Sequence, residues 1–145
     1  MAQSDETFDL DRFLSAQSGV FETALDELQA GAKRSHWMWF IFPQMRGLGM
    51  SSMAQTYGIV SLQEARSYLA HPVLGARLRQ CTEAVLQVKG RTLHQIFGSP
   101  DDVKFHSSMT LFALAEGDHG GIYRQALDLF CRGEMDRRTL EIVGR

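Results

Sequence analysis

The chain has 145 residues, 44% of them hydrophobic and 22% charged, and a formal net charge of -2. That length suits one domain, and the three prolines and the absence of low-complexity runs argue against a disordered chain. The absence of a Lys/Arg-rich tail or stripe excludes a dedicated DNA or RNA binder, which would need many phosphate contacts.

The acidic opening Ser4-Asp5-Glu6 is unlike a signal peptide, and the longest apolar run, Trp37 to Phe42, is far too short to cross a bilayer. A soluble, cytoplasmic protein with no membrane partner is expected, with residues 1–7 as a disordered tail and 8–145 as a single helical domain. Cys81 and Cys131 both sit in apolar helical patterns and are expected as core thiols rather than disulfide partners.

In chain order, Phe8 to Gln17 offers Asp9 as a cap, then Leu10, Phe13 and Leu14 at helical spacing. Val20, Phe21, Ala24, Leu25 and Leu28 form a second stripe, with Ser18 as a candidate cap and Gly31 placed to stop it. Ser61-Leu62-Gln63-Glu64 has the capping-box pattern, and its helix should end near His71, ahead of Pro72. Pro72 can open the next helix, in which Leu74, Leu78, Cys81, Val85 and Val88 share a face up to Gly90. Thr92 to Phe97 reads as a short helix. Ser99-Pro100-Asp101-Asp102 is a strong start signal, followed by Phe105, Met109 and Phe112 up to Gly117. Ile122, Ala126, Leu129 and Phe130 give another helix ending at Gly133, and Asp136 caps a last one with Leu140 and Val143. The expected fold is all-α: a single compact irregular bundle of about six or seven helices with little or no strand.

The segment from Lys33 to Ser52 breaks the pattern. Trp37-Met38-Trp39-Phe40-Ile41-Phe42 is apolar on every face, which suits a buried strand or a short buried helix equally. Its flanks are basic and polar: Lys33, Arg34 and His36 before it, the neutral Gln44 and the cation Arg46 after it, with no acid from Leu28 to Gln63. Gly47-Leu48-Gly49-Met50-Ser51-Ser52 follows. Its glycines would let backbone N–H groups approach a phosphate at a helix start near Ser51. The plainer reading is a turn with a capping serine. Trp37 and Trp39 could stack on a flat base with Gln44 reading its edge, or plug the core; most of the run belongs to the core, with one tryptophan lining a pocket.

Lys104 lies one turn into its helix beside His106, Ser107, Ser108 and Thr110, and Ser108 can share its face. The competing reading is a solvated lysine with serines packed against a neighbour. Asp101 and Asp102 are explained by the helix first turn. The five histidines show no metal-ligand spacing and no nucleophile motif is present, so no metal and no cofactor are expected.

Four blocks carry a resemblance: His36 to Gln44, Gly47 to Ser51, Tyr68 to Gly75, and Lys104 to Phe112. In order and content they resemble the domain-of-unknown-function 1810 family of bacterial proteins, over the chain from about Phe8 onward. The resemblance implies a compact, mostly helical protein and brings no established activity. Some members carry the label calpastatin, but a calpain inhibitor would be a disordered polar chain. A fainter similarity to the NADAR group implies action on N-glycosidic bonds of ribose derivatives, without implying any catalytic residue.

Two functions therefore stand side by side. The first is a site for a phosphorylated or nucleotide-like small molecule, ADP-ribose relatives included. Its candidate ligands are Lys33, Arg34, His36, Trp37, Trp39, Gln44, Arg46, Gly47, Gly49, Ser51 and Lys104, and N-glycosidic hydrolysis is the reaction it would carry. The second is a non-enzymatic helical module that binds a protein or forms a homo-oligomer through Met45, Met50 and Met53.

Overall fold

The computed structural model describes residues 8–117 and 121–144. In chain order its helices are α1 (Asp11–Gln17), α2 (Phe21–Gln29), α3 (Met38–Ile41), α4 (Ser52–Tyr57), α5 (Leu62–Ala70), α6 (Leu74–Gln87), α7 (Leu93–Phe97), α8 (Asp101–Glu116), α9 (Ile122–Phe130) and α10 (Arg137–Val143). Seven of these have seven or more residues, which matches the bundle expected from the capping signals. Among the described residues there is no strand, only a parallel bridge between Met45 and Ile59. The expected tail, residues 1–7, lies outside the described residues, as does His119.

The centre of the bundle follows from α8. Phe105, Met109, Leu111, Phe112, Ala113 and Ala115 are buried on it together with Ser107, Ser108 and Thr110, so it has almost no polar face. A helix apolar or small on nearly every side must be enclosed. Accordingly α5 and α9 lie along it, α7 and α10 close its flanks, and α6 bridges α2, α5 and α9. The outer helices keep one polar face each; on α9, Ile122, Tyr123, Ala126 and Leu127 point inward.

The apolar run settles as a helix of one turn. Trp37, Met38, Phe40, Ile41 and Phe42 are buried, and Trp39 is half-exposed. Phe42 sits edge-on to Phe97 and Phe105 at 5.9 and 5.1 Å, joining this segment to α7 and α8. The helix stops at Ile41, ahead of Pro43, and the chain then pairs backbone to backbone with the stretch before α5: Ile59 N–H donates to Gln44 O and Arg46 N–H to Ile59 O. The crossing is so close that a side chain at Gly58 would meet Arg46 Cβ at 2.6 Å.

Several caps differ from the sequence expectation. Ser61 does cap α5, but Glu64 returns its carboxylate to the N–H of Val60 rather than of Ser61. Asp136 caps α10, and Thr92 with Gln95 forms a full capping box on α7. Ser99 is not a cap: α8 starts at Asp101 with Pro100 before it, and the Asp102 carboxylate accepts from Val103 N–H instead. Neither Asp9 nor Ser18 caps a helix; those positions fall to Leu10 and Val20, whose apolar side chains pack on or into the core. Pro72 does not open α6, which begins at Leu74, and the His71 imidazole Nδ1 accepts from the N–H groups of Val73 and Leu74. α9 stops at Phe130, short of Gly133.

Candidate functional site

The cations flanking the aromatic run fold into two separate groups. The first gathers at the start of α8. Lys33 Nζ lies 2.8 Å from Asp101 Oδ2, and Lys104 Nζ lies 3.6 Å from Asp101 Oδ1. Each ammonium also sits over an indole: Lys33 over Trp37 at 4.9 Å and Lys104 over Trp39 at 4.8 Å. Lys33 is committed, since it donates to Ser35 O as well and its side chain is only 7% exposed. Lys104 is freer, 22% exposed with a single, longer ion-pair contact. Two lysines against one aspartate leave this corner with one net positive charge.

Behind it, Glu27 of α2 organises the loop. One carboxylate oxygen accepts from Arg34 N–H at 2.8 Å, Ser35 N–H at 3.0 Å and Trp37 Nε1–H at 2.9 Å; the other accepts from Ser35 Oγ at 2.6 Å. Burial pushes this carboxyl up, but the four donors outweigh burial and bring it down from 4.5 to about 2. Glu27 is therefore a fixed anion that orients Trp37 and the Lys33–His36 loop. The side chains of Arg34 and His36 project into solvent.

The second group belongs to Arg46. Its side chain lines a cleft of about 260 Å³ with Arg12, Glu64, Thr56 and Phe8. There Arg12 bonds Thr56 O and Gly58 O and pairs with the buried Glu64 at 3.0 Å, while Arg46 is exposed with no side-chain partner among the described residues. No contact among the described residues joins Arg46 to Lys33 or Lys104. The glycine-serine turn leads elsewhere again. Gly47 faces Ile142 of α10, Leu48 O accepts from Arg138, and Ser51 caps α4 by accepting from Ala54 N–H. Gly49 and Gln44 stay within that turn, the Gln44 amide near Gly49. The turn with a capping serine is the arrangement found.

The polar set after Lys104 also divides. Ser107 Oγ donates to Asp136 Oδ2, and Thr110 Oγ1 accepts from Asp136 N–H, so both serve the start of α10. Ser108 is fully buried, and its hydroxyl has no partner among the described residues. His106 reaches Glu134 O. Of the three methionines considered for an interaction surface, Met45 is in the core and Met53 half-buried, leaving Met50 at 83% exposure. Both cysteines are free thiols: Cys81 is buried, Cys131 half-buried, and burial pushes them up to about 12 and about 11.

Sequence reasoning missed Asp101 and Glu27 as members of the site. Asp101 is explained in sequence by the first turn of its own helix, and only folding brings it beside Lys33. The Glu27 signal was available, as the acid just before the acid-free stretch.

Residues 7–143 match the family model described as protein of unknown function (DUF1810). The chain belongs to that family. It is also similar to the crystal structure of the conserved hypothetical protein Rv1873 from Mycobacterium tuberculosis, with 51% identity and a TM-score of 0.93 over 96% of this chain and 99% of that one. No curated protein matches the sequence. The blocks that carry the family likeness have structural duties here: His36 to Gln44 forms the aromatic plug, and Lys104 to Phe112 the buried heart of α8. Tyr68 to Gly75 is the tight α5–α6 corner, where a side chain at Gly75 would lie 2.2 Å from Leu69 O. No helix among the described residues is long and apolar enough to cross a membrane.

Proposed function

We propose that the protein binds a phosphorylated or nucleotide-like small molecule, of which ADP-ribose is one example, where Trp39 meets Lys104. The observation that supports it is the Lys33–Asp101–Lys104 triad, whose net positive charge lies beside a half-exposed indole. An ammonium with donors to spare holds a phosphate through charge-assisted bonds, and an indole edge or face accepts a base. Arg34, exposed on the loop that Glu27 holds, adds a further cation, and the exposed His36 ring adds hydrogen-bonding nitrogens. Arg46, Gly47, Gly49 and Ser51 are left out, because their contacts lie with α1, α4 and α10.

This reading is of binding first. Glu27, held at about 2 by four donors, has no proton to give near neutral pH, and Asp101 is paired with two lysines. N-glycosidic cleavage is the reaction to assay once a ligand is in hand, with Asp101→Asn as the variant that removes the nearest carboxylate.

Tryptophan emission and melting temperature, followed with added ADP-ribose, AMP and inorganic phosphate, test the proposal. Saturable quenching is expected, lost in Trp39→Phe and weakened about tenfold in Lys104→Met, the typical worth of one hydrogen bond to a charged group. An unchanged emission and melting temperature with all three compounds ends it.

A further inference from the structure

One feature left unused by that reading is a cleft of about 490 Å³ between α5, α6, α8 and α9. Its existence follows from packing. At the α5–α6 corner Gly75 presses directly on Leu69 O, and Ala70, Ala76 and Ala115 present only methyl groups, so neighbouring helices touch at their backbones and leave a gap beside them. Ala115 lies about 16 Å along α8 from Lys104, at about 1.5 Å rise per residue, so the cleft is distinct from the Trp39 surface.

Its polar lining is unusual. Arg66 Nε donates to Ala115 O at 3.3 Å, which fixes the guanidinium at the mouth and leaves its terminal amino groups without partners among the described residues. Arg79 makes one long contact, 3.5 Å, to Glu83 on its own helix. Tyr123 is only 2% exposed, its ring packed on Phe112, yet its hydroxyl has no hydrogen-bond partner among the described residues and opens into the cleft rather than being sealed off. A hydroxyl on the wall of an open cleft keeps its hydrogen bond for water or for a ligand oxygen that displaces it. Glu116 supplies the one carboxylate of the lining, and Glu83 offsets Arg79 from outside it, so Arg66 and Arg79 are balanced in number and an anion here is held by directed donors rather than by net charge.

We infer that this cleft is a second ligand site, for a small oxyanion of the phosphate-monoester or carboxylate type. The anion's oxygens accept from Arg66, Arg79 and the Tyr123 hydroxyl, and Glu116 takes a hydroxyl or amine carried by the same molecule. Arginine forks match the planar or trigonal oxygens of such groups. The phenol serves as a donor throughout the physiological range, because burial, reinforced by Glu116, drives its ionisation far upward despite Arg79.

The test is backbone amide chemical-shift mapping of the full chain with inorganic phosphate, and separately with succinate. Saturable shifts at Gly75, Ala76 and Ala115 are expected, and whichever probe gives them identifies phosphate or carboxylate. Tyr123→Phe should leave the unliganded melting temperature unchanged, since the hydroxyl bonds nothing, and weaken the probe about tenfold. Arg66→Met should weaken it similarly, whereas Lys104→Met should leave it intact. Shifts confined to the surroundings of Lys104 would support the Trp39 site and overturn this one. So would an absence of shifts at the cleft with both probes, or shifts there that survive both cleft variants unchanged.

Discussion

The two flanks of the aromatic run carry similar charges in sequence and meet opposite fates. On the N-terminal side, Lys33 and Lys104 share Asp101 and cover two indoles, while Glu27 gathers the loop's donors. On the C-terminal side, the ion pair is Arg12–Glu64, which the stretch itself does not supply, and Arg46 beside it stays unpaired among the described residues. An acid-free stretch of sequence is therefore not an acid-free surface. Glu27, Glu64 and Asp101 close in from just outside the stretch or from far along the chain, and they decide which cations remain available to a ligand.

The largest expected effect separates the two tryptophans. Trp37→Ala removes a fully buried ring and leaves Glu27 short of a donor, and should cost roughly 3–5 kcal/mol in a denaturant titration. Trp39→Ala, half-exposed, should cost clearly less. Equal losses would mean that the two rings are buried alike and that the ligand surface at Trp39 does not exist.

Next comes the C-terminal flank. Arg12→Ala strands the buried Glu64 carboxylate and releases three backbone carbonyls, those of Asp9, Thr56 and Gly58, and should cost about 3 kcal/mol. Arg46→Ala should stay within about 0.5 kcal/mol, as surface substitutions do. A large loss at Arg46 would show that it holds the crossing at Gly58 by more than its backbone.

The acid side of the stability curve sharpens the N-terminal flank. Glu27 has a lowered carboxyl in the folded chain, so its stabilisation is present above about 4.5 and disappears as pH falls towards about 2. Glu27→Gln should flatten that part of the pH profile, measured by thermal unfolding between those values. A variant with the wild-type slope would place the acid sensitivity on other carboxylates.

A small effect on folding and a large one on binding should fall together on Lys104. Lys104→Met breaks a partly exposed pair and should change stability by less than about 1 kcal/mol. Ligand quenching should nonetheless suffer in this variant and not in Arg46→Met. The reverse order would return the site to the glycine-serine turn.

Much of the fold was legible because local chemistry forces it. Ser61 and Asp136 cap helices wherever they stand before an apolar stripe. Gly31, Gly90 and Gly117 take positive φ after helix ends, which a side chain resists. The apolar residues of Trp37 to Phe42 were bound for the core by the hydrophobic effect alone, whether as strand or helix. Ser99, Ser18 and Pro72 failed as start signals because caps compete with tertiary packing. Leu10 and Val20 take the boundary positions for the core, and a histidine ring replaces the proline start.

What only the tertiary structure decided is which charges meet. Period and capping act over a turn or two, so they place side chains on a helix face but do not say which face of another helix lies opposite. Asp101 reads as a first-turn acid until α8 packs beside the Lys33 loop, and Tyr123 reads as one more core aromatic until Gly75 and three alanines leave a cleft beneath its hydroxyl. The sequence alone determined the helices, the core and the family; the distances between ionic and polar groups were set by helices packing through residues far apart in the chain.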